Sequence, residues 1–508
     1  MSAAYLGNTG GFIVISADDP GPHSSQTEQD SRMMAMMAKI PVLDPVSPSH
    51  ARALVPVAYA MSEAFGVPVM LRPTTRVCHS RQDVTPGEMP RTAPSPDFRK
   101  DPKRWAATPK FRFQLHKALE EKLGAVGAWA AMAPIRRNPG SGNGAAVIAS
   151  GVAAAHVAEI LEDMTLSGNP AFYQVIQPFP LHAAFIAEVL TAHDRILVIE
   201  ETMPVMEMQL ADRHRVLGKL NGHVPRVGEL LPERIAEILE TFAGRTPNIR
   251  PLTEAPGRRP TLCAGCPHRA SFHAIKRAAP KGIYTSDIGC YTLGLNLGAV
   301  DTVLCMGAAI SQAAGFYHAY KHEAKRPDIV ATMGDSTFFH AGIPALIDAV
   351  VQNVRFVLVI LDNRTTAMTG NQPTPATGRG ATGEPLNALE LEPLIRGCGV
   401  KYLETADPYD YPEFVSLLKT AVKYSRETGP AVVIARHPCL LDRLDRQPER
   451  RKIRLQVTDD CDGCGYCTDH FECPALIPGD ATRIDPMLCS GCGVCRYICP
   501  KKAIEEKP

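Results

Sequence analysis

Eight of the fifteen cysteines in this 508-residue chain stand near its C-terminal end in two spaced runs. The first is Cys461-x2-Cys464-x2-Cys467-x5-Cys473-Pro474, and the second is Cys489-x2-Cys492-x2-Cys495-x3-Cys499-Pro500. A cubane [4Fe–4S] cluster needs four thiolates at tetrahedral corners, and a tight Cys-x2-Cys-x2-Cys loop plus one distant Cys supplies them. Where two such runs pair, the fourth Cys of each ligates the other run's cluster. This assigns Cys461, Cys464, Cys467 and Cys499 to one cluster, and Cys489, Cys492, Cys495 and Cys473 to the other. Gly463, Gly465, Gly491 and Gly493 lie between ligands, where backbone must wrap closely and point N–H groups at sulfur. Zinc knuckles lack the third in-phase Cys and the Cys-Pro. Disulfides need an oxidising compartment, of which the sequence gives no sign.

A second chemical signal lies upstream. Ile329 to Met333 reads as a strand ending in Gly334-Asp335-Ser336, and Phe356 to Leu361 as a strand ending in Asp362-Asn363. Ligands at the C-terminal ends of parallel strands fit the rule for binding in open α/β sheets. An Asp carboxylate and an Asn carbonyl are hard oxygen donors suited to Mg²⁺, which keeps phosphate oxygens in its octahedron. The backbone carbonyl of Thr365 is the expected third donor. The spacing resembles the thiamine diphosphate motif, with Gly-Asp-Ser and Asp-Asn in place of Gly-Asp-Gly and Asn-Asn. Both departures keep the metal-binding atoms. His340 and Gly342, opening the next helix, are expected beside the diphosphate; the alternative is that His340 only caps or packs. The C-terminal cysteine module likewise resembles a bacterial-type ferredoxin domain, which moves single electrons at low potential.

Positioning elements follow from the apolar pattern. Gly11 to Ala17 reads as a buried parallel strand, Arg52 to Phe65 as a helix and Val67 to Leu71 as a second strand. Residues 79–112 are rich in Pro, Arg and Lys and read as a linker. Ala145 to Ala149, Phe172 to Ile176 and Ile196 to Glu200 are expected strands, with helices starting near Val152 and Leu181. The longest α/β domain runs over 261–438, and a charged connector, 441–455, leads to the cysteine module. With 54 basic and 53 acidic residues, charge gives no argument for nucleic acid or a membrane surface. No apolar run reaches transmembrane length and no signal segment opens the chain, so the expected location is cytoplasmic.

Further motifs surround the metal signal: Cys263-Ala264-Gly265-Cys266-Pro267-His268-Arg269, Asp287-Ile288-Gly289-Cys290-Tyr291, Cys305-Met306-Gly307-Ala308 and Thr366-Ala367-Met368-Thr369-Gly370. With Ser16-Ala17-Asp18-Asp19-Pro20, His23-Ser24-Ser25-Gln26, Thr74-Thr75-Arg76-Val77 and Glu200-Glu201, they make the whole chain resemble the large subunits of indolepyruvate:ferredoxin oxidoreductases, within the 2-oxoacid:ferredoxin oxidoreductase superfamily. The resemblance implies an α/β multidomain fold: thiamine-diphosphate-binding doubly wound domains followed by a C-terminal α+β two-[4Fe–4S] ferredoxin-like domain. Its parts are the C-terminal half of a pyrimidine-binding domain (1–78), a linker and helical connector (79–144), a transketolase C-terminal-like α/β domain (145–245), the diphosphate- and Mg-binding domain (261–438) and the ferredoxin domain (455–508).

The resemblance also implies an activity. Thiamine diphosphate acts as electron sink while a 2-oxoacid loses CO₂, coenzyme A takes the acyl group, and two electrons pass singly through clusters to ferredoxin. The expected substrates are arylpyruvates such as indolepyruvate, and the expected partners are a smaller β subunit, in a hetero-oligomer, and ferredoxin. Asp335, Asn363 and Thr365, with Gly334 and Ser336, carry the Mg–diphosphate role; His23, Arg76 and His340 are expected substrate or coenzyme A contacts. A third cluster on Cys263, Cys266 and Cys290 would lack a fourth ligand, for which Cys305 and Cys398 are candidates, and buried thiols are the alternative. Cys78 and Cys439 read as ordinary cysteines. The family's large subunit begins about a hundred residues earlier, with the segment carrying the glutamate that activates the cofactor. Glu28 and Glu63 do not lie in the matching segment. Two other readings stay open: the same reaction on another 2-oxoacid, or an electron-transfer chain without cofactor activation.

Overall fold

The computed structural model describes the chain except residues 24, 86, 88–97, 143, 164–169, 248–258, 443–451 and 508. The chain forms two compact units, Met1–Glu254 and Ala255–Pro508.

The first unit holds two sheets. The smaller is parallel and three-stranded, with Val69–Leu71 between Ile13–Ile15 and Val42–Leu43. Helix Pro48–Phe65 connects Val42–Leu43 to Val69–Leu71. Ser47 caps it by accepting the His50 N–H, Pro48 fits its first turn, and Gly66 at φ 60° ends it. The expected buried strand over 11–17 is shorter and lies at the sheet edge, where Ile15 is 69% exposed. Helix Arg112–Gly127 differs from the expected connector. Its Leu119 and Leu123 pack with Val42, Val67 and Met70, and its Val126 with Leu43 and Val69, so it is part of the core. Ile135–Asn138 likewise leaves the connector and forms the antiparallel edge of the second sheet. That sheet runs Ile135–Asn138, Ala171–Val175, Ala145–Ser150, Arg195–Ile199 and Val216–Leu217, parallel after the first pair.

The second unit is built on a six-stranded, fully parallel sheet. Its order is Thr302–Val303, Ile283–Ser286, Ile329–Gly334, Val357–Asp362, Ala431–Arg436 and Tyr402–Ala406. Alternate residues face opposite layers, as the period of two requires. Val357, Val359, Leu361 and Val433 meet helices Pro267–Ala278 and Tyr411–Glu427; Leu358, Ile360, Val432 and Ile434 meet the layer holding Ala308–Tyr320 and Ile343–Val351. Burial on both faces explains the uninterrupted apolar runs. From Ile283–Ser286 the chain moves to one edge, and from Ile329–Gly334 toward the other. The topological switch point thus lies between these strands, where a ligand crevice is expected.

The cysteine module contains two short antiparallel pairs, Leu455–Val457 with Ile504–Glu506 and Leu476–Ile477 with Arg483–Ile484. It is not a tethered appendage. Phe471, Val494, Ile498 and Ile504 share one core with Phe272, Ile275, Phe414 and Leu418 of the sheet's helix layer. Residues 443–451 of the expected connector fall outside the described residues. Among the described residues, no helix is long and apolar enough to cross a membrane.

Candidate functional site

Asp335 and Asp287 follow the two strands that flank the switch point. Asp335 is 1% exposed, and its Oδ2 has no hydrogen-bond partner. Burial, and then the neighbouring Asp362 charge, push its carboxyl well above the usual carboxylate range. The two carboxylates differ in their commitments. Asp362 accepts from Arg436 Nε at 2.6 Å, while Arg436 also grips Glu392 at 2.8 and 3.0 Å. Asp335 has no basic side chain paired with it among the described residues, so a divalent cation is the group that would satisfy it.

Asn363 and Thr365 stand across from it on the next strand's end. Arg364 turns the loop at φ 59°, and the Thr365 N–H donates to Asn363 Oδ1 at 3.3 Å. Asn363 Nδ2 lies 3.5 Å from His268 Nε2. Burial pushes His268 down to about 4, which keeps the imidazole neutral and able to accept. Thr366 Oγ1 lies 2.9 Å from Ser336 Oγ, tying the two loops together. His268, Cys290, Tyr291, Met306, Gly334, Asp335, Ser336, Asn363 and Thr365 all line one cavity of about 370 Å³. Gly334 is held to glycine by packing, since a Cβ there would sit 2.6 Å from Tyr291 Cε1. The Tyr291 hydroxyl bonds Asp287 and lies 3.0 Å from Thr337 Oγ1. The residues present therefore fit a metal–diphosphate group: hard oxygen donors, one of them an orphaned carboxylate, around a lined void.

His340 departs from its expected place. It is exposed and does not line this cavity. The helix after Asp335 runs through a π-turn, Phe338–Gly342, which turns Phe338 and Gly342 inward and His340 outward. His268, Asp287 and Tyr291 were visible in the sequence as motif members, but without a role.

The thiols form three sets. Cys461, Cys464, Cys467 and Cys499 line a cavity of about 310 Å³. Thr482 donates its N–H to Cys461 Sγ at 3.4 Å, and its hydroxyl lies 3.4 Å from Cys467 Sγ. Cys492 and Cys495 are electrostatic neighbours of each other, and each has Cys473 and Cys489 as further neighbours. Among the described residues no three His, Cys, Asp or Glu side chains converge on a single ion. The first set surrounds a void, as the separated corners of a cubane require. A Cβ at Gly463 would lie 2.5 Å from the Asp480 carbonyl, so close backbone approach fixes glycine there.

The third set includes Cys439, which the sequence reads as an ordinary cysteine. Cys263 neighbours Cys266, Cys290 and Cys439, and Cys290 neighbours Cys439. The Cys439 N–H donates to the Asn363 carbonyl at 3.1 Å, which puts this set beside the Asp335 loops. Cys305 and Cys398, the expected candidates, are not among these neighbours.

In the first unit, His23 and Arg76 meet on a residue the sequence did not flag. His23 Nε2 lies 2.9 Å from Glu229 Oε2, and Arg76 donates to both Glu229 oxygens at 2.6 Å. The Asp18-Asp19 motif is scaffold: Asp18 accepts from Arg72 Nε at 2.7 Å and from Ser31. Glu200 accepts from Arg32 Nη1 at 3.2 Å and from the Met206 and Glu207 N–H groups. Glu28 and Glu63 are each held by a backbone N–H, of Gly228 and Gly11. Ser24 lies outside the described residues.

Two family models match this chain. One, described as thiamine pyrophosphate enzyme, C-terminal TPP binding domain, covers 264–435; the other, described as 4Fe-4S binding domain, covers 482–505. Among curated proteins, the indolepyruvate oxidoreductase subunit IorA of Archaeoglobus fulgidus is 38% identical, over 99% of this chain and 83% of its own length. Proteins of the same name from Methanothermobacter thermautotrophicus and Pyrococcus abyssi are 37% and 36% identical, each over 100% of this chain and 83% of their own length.

Proposed function

The chain belongs to the family of indolepyruvate oxidoreductase IorA subunits, and from that premise we propose that it is the cofactor-binding subunit of a 2-oxoacid:ferredoxin oxidoreductase acting on arylpyruvates. The proposed reaction converts an arylpyruvate, coenzyme A and two oxidised ferredoxins into an aryl-acetyl-CoA, CO₂, a proton and two reduced ferredoxins. A smaller β subunit is the proposed partner in a hetero-oligomer.

One observation carries the cofactor assignment: Asp335 is a buried carboxylate with an orphaned oxygen, at a strand end, facing a loop of further oxygen donors. Asp335 Oδ2, Asn363 Oδ1 and the Thr365 carbonyl are the proposed protein ligands of Mg²⁺. Thiamine diphosphate, when bound, supplies the electron sink for decarboxylation. Ser336 and Thr366 keep the two ligand loops in register through their hydroxyl contact. Neutral His268 orients the Asn363 amide. Tyr291, fixed by Asp287 and Thr337, walls the cavity and excludes water beside Gly334.

Two [4Fe–4S] clusters are proposed on the sets Cys461, Cys464, Cys467, Cys499 and Cys489, Cys492, Cys495, Cys473. A third is proposed on Cys263, Cys266, Cys290 and Cys439, supported by the gathering of those four thiols beside Asn363. His23 and Arg76 are proposed contacts for an anionic group of substrate or coenzyme A, with Glu229 as the carboxylate an incoming anion must displace. Comparing acyl-CoA formation from indolepyruvate, phenylpyruvate, pyruvate and 2-oxoglutarate by the chain with its β subunit tests the reading. Faster turnover of pyruvate or 2-oxoglutarate than of either arylpyruvate would overturn the specificity.

A further inference from the structure

Between the Cys263–Cys266 loop and the Cys473–Cys492 side of the next thiol set lies a side chain that neither set needs as a ligand. Arg269 stands in the first turns of helix Pro267–Ala278 and is fully buried. Its Nη1 donates to the Phe471 carbonyl at 2.6 Å and its Nη2 to the Leu262 carbonyl at 2.5 Å. It thus joins the backbone just before Cys263 to the backbone just before Cys473. The guanidinium also lies 5.9 Å from the Phe471 ring centroid, and its Nε is buried without a partner. At the next contact, Gly265 and Ser490 pack so closely that a Cβ on Gly265 would collide with the serine hydroxyl.

The charge arrangement around Arg269 is unusual. Among the described residues no carboxylate pairs with it, and the sulfurs of Cys473, Cys266, Cys263 and Cys492, drawn from both sets, are its electrostatic neighbours. A guanidinium stays protonated in proteins, and burying one without an anion is among the costliest arrangements a core can hold. Thiolate-bound clusters would supply that anion. Each takes up one electron on reduction, with no proton in this arrangement, and so becomes one unit more negative. A fixed positive charge alongside favours the reduced form, since net charge and hydrogen bonding around the sulfurs set cluster potential.

We propose that Arg269 is an electrostatic bridge between two cluster positions, raising the reduction potentials of the Cys263/Cys266/Cys290/Cys439 and Cys473/Cys489/Cys492/Cys495 positions together. Two electrons leave each oxoacid, and each cluster accepts and passes them singly. A shared charge raises both neighbouring positions together, so both become easier to reduce than they would be without it. The sulfurs of Cys461, Cys464, Cys467 and Cys499 are not among those that weigh most on Arg269, so on this proposal their position is tuned least. The proposal rests on the cluster assignments made above.

Redox titration of the reconstituted holoenzyme, followed by electron paramagnetic resonance with iron counted beforehand, tests it. In Arg269→Met, the reduced-to-oxidised ratio at a fixed ambient potential should fall at least tenfold at the two bridged positions, a shift of about 59 mV for one electron. The third position should stay within threefold of wild type. Arg269→Lys, which keeps the charge and gives up the paired carbonyl bonds, should hold all three positions within threefold. R269M with full iron and unmoved potentials overturns the bridge, as does an equal shift at all three positions. If R269M loses iron, R269K decides: a tenfold fall with iron intact overturns the proposal. Wild-type iron for only two clusters refutes the Cys263 assignment and the bridge with it, whereas three clusters and no shift refute the bridge alone.

Discussion

Replacing Asp335 by Asn should stabilise the protein without its cofactor and abolish its response to that cofactor. The side chain is 1% exposed, its Oδ2 is unpartnered and, among the described residues, no basic side chain pairs with it. Holding a buried carboxyl protonated where the unfolded state would ionise it costs folding free energy, and a neutral isostere should return about 2 kcal/mol of it. At roughly 2–4 °C per kcal/mol for a unit of this size, Tm should rise by about 4–8 °C. The sign with pH follows from the carboxyl's raised folded-state pKa. Below the unfolded carboxylate range both states are protonated and the wild type loses nothing. As pH rises, the unfolded state ionises first and wild-type stability falls. The D335N advantage should therefore grow as pH rises from about 4 and level off above the raised folded-state value of about 8. Added Mg²⁺ and thiamine diphosphate at about a hundred times Kd should stabilise the wild type by about 2.7 kcal/mol and leave D335N unmoved. Anaerobic thermal unfolding of iron-loaded protein, with and without cofactor, reads all of this. A cofactor-free D335N less stable than wild type, or one with an undiminished cofactor shift, refutes the reasoning.

Other perturbations separate the remaining parts of the account. Cys439→Ser should lose about one cluster's worth of iron, four atoms per chain, while Cys305→Ser keeps wild-type iron; equal iron in both variants would remove Cys439 from the third set. Gly334→Ala drives a methyl against Tyr291 at 2.6 Å, which should cost about 1–3 kcal/mol of stability and weaken cofactor binding. An unchanged Tm in G334A would show that the Tyr291 wall yields.

How much was legible depended on how local each signal is. The ferredoxin cysteines carry their own spacing, and the Gly334-Asp335 and Asp362-Asn363 pairs sit at the ends of apolar runs that read as strands at sight. Cys439 was hidden because it reaches Cys263 and Cys290 only through the pairing of Ala431–Arg436 beside Val357–Asp362. Glu229 was hidden for the same reason, since its partners His23 and Arg76 are distant in sequence; Arg269 was visible as a motif member, but its contact with Phe471 showed only in the fold. His340 was misplaced because a π-turn changes which face a helical residue presents. Helix Arg112–Gly127 mixes charges through its apolar positions, so its burial of Leu119, Leu123 and Val126 showed only in the fold. The edge strand at Ile13–Ile15 has the composition of a buried one, and only its sheet neighbours distinguish the two.

The most direct test of the central claim is anaerobic viologen reduction by the iron-loaded chain with its β subunit, Mg²⁺, thiamine diphosphate, coenzyme A and indolepyruvate, run beside the same assembly carrying D335N. The account predicts dye reduction that requires both coenzyme A and the oxoacid in the wild type and is lost in D335N with its iron intact. Equal dye reduction by both proteins, or none by a fully loaded wild type, would contradict it.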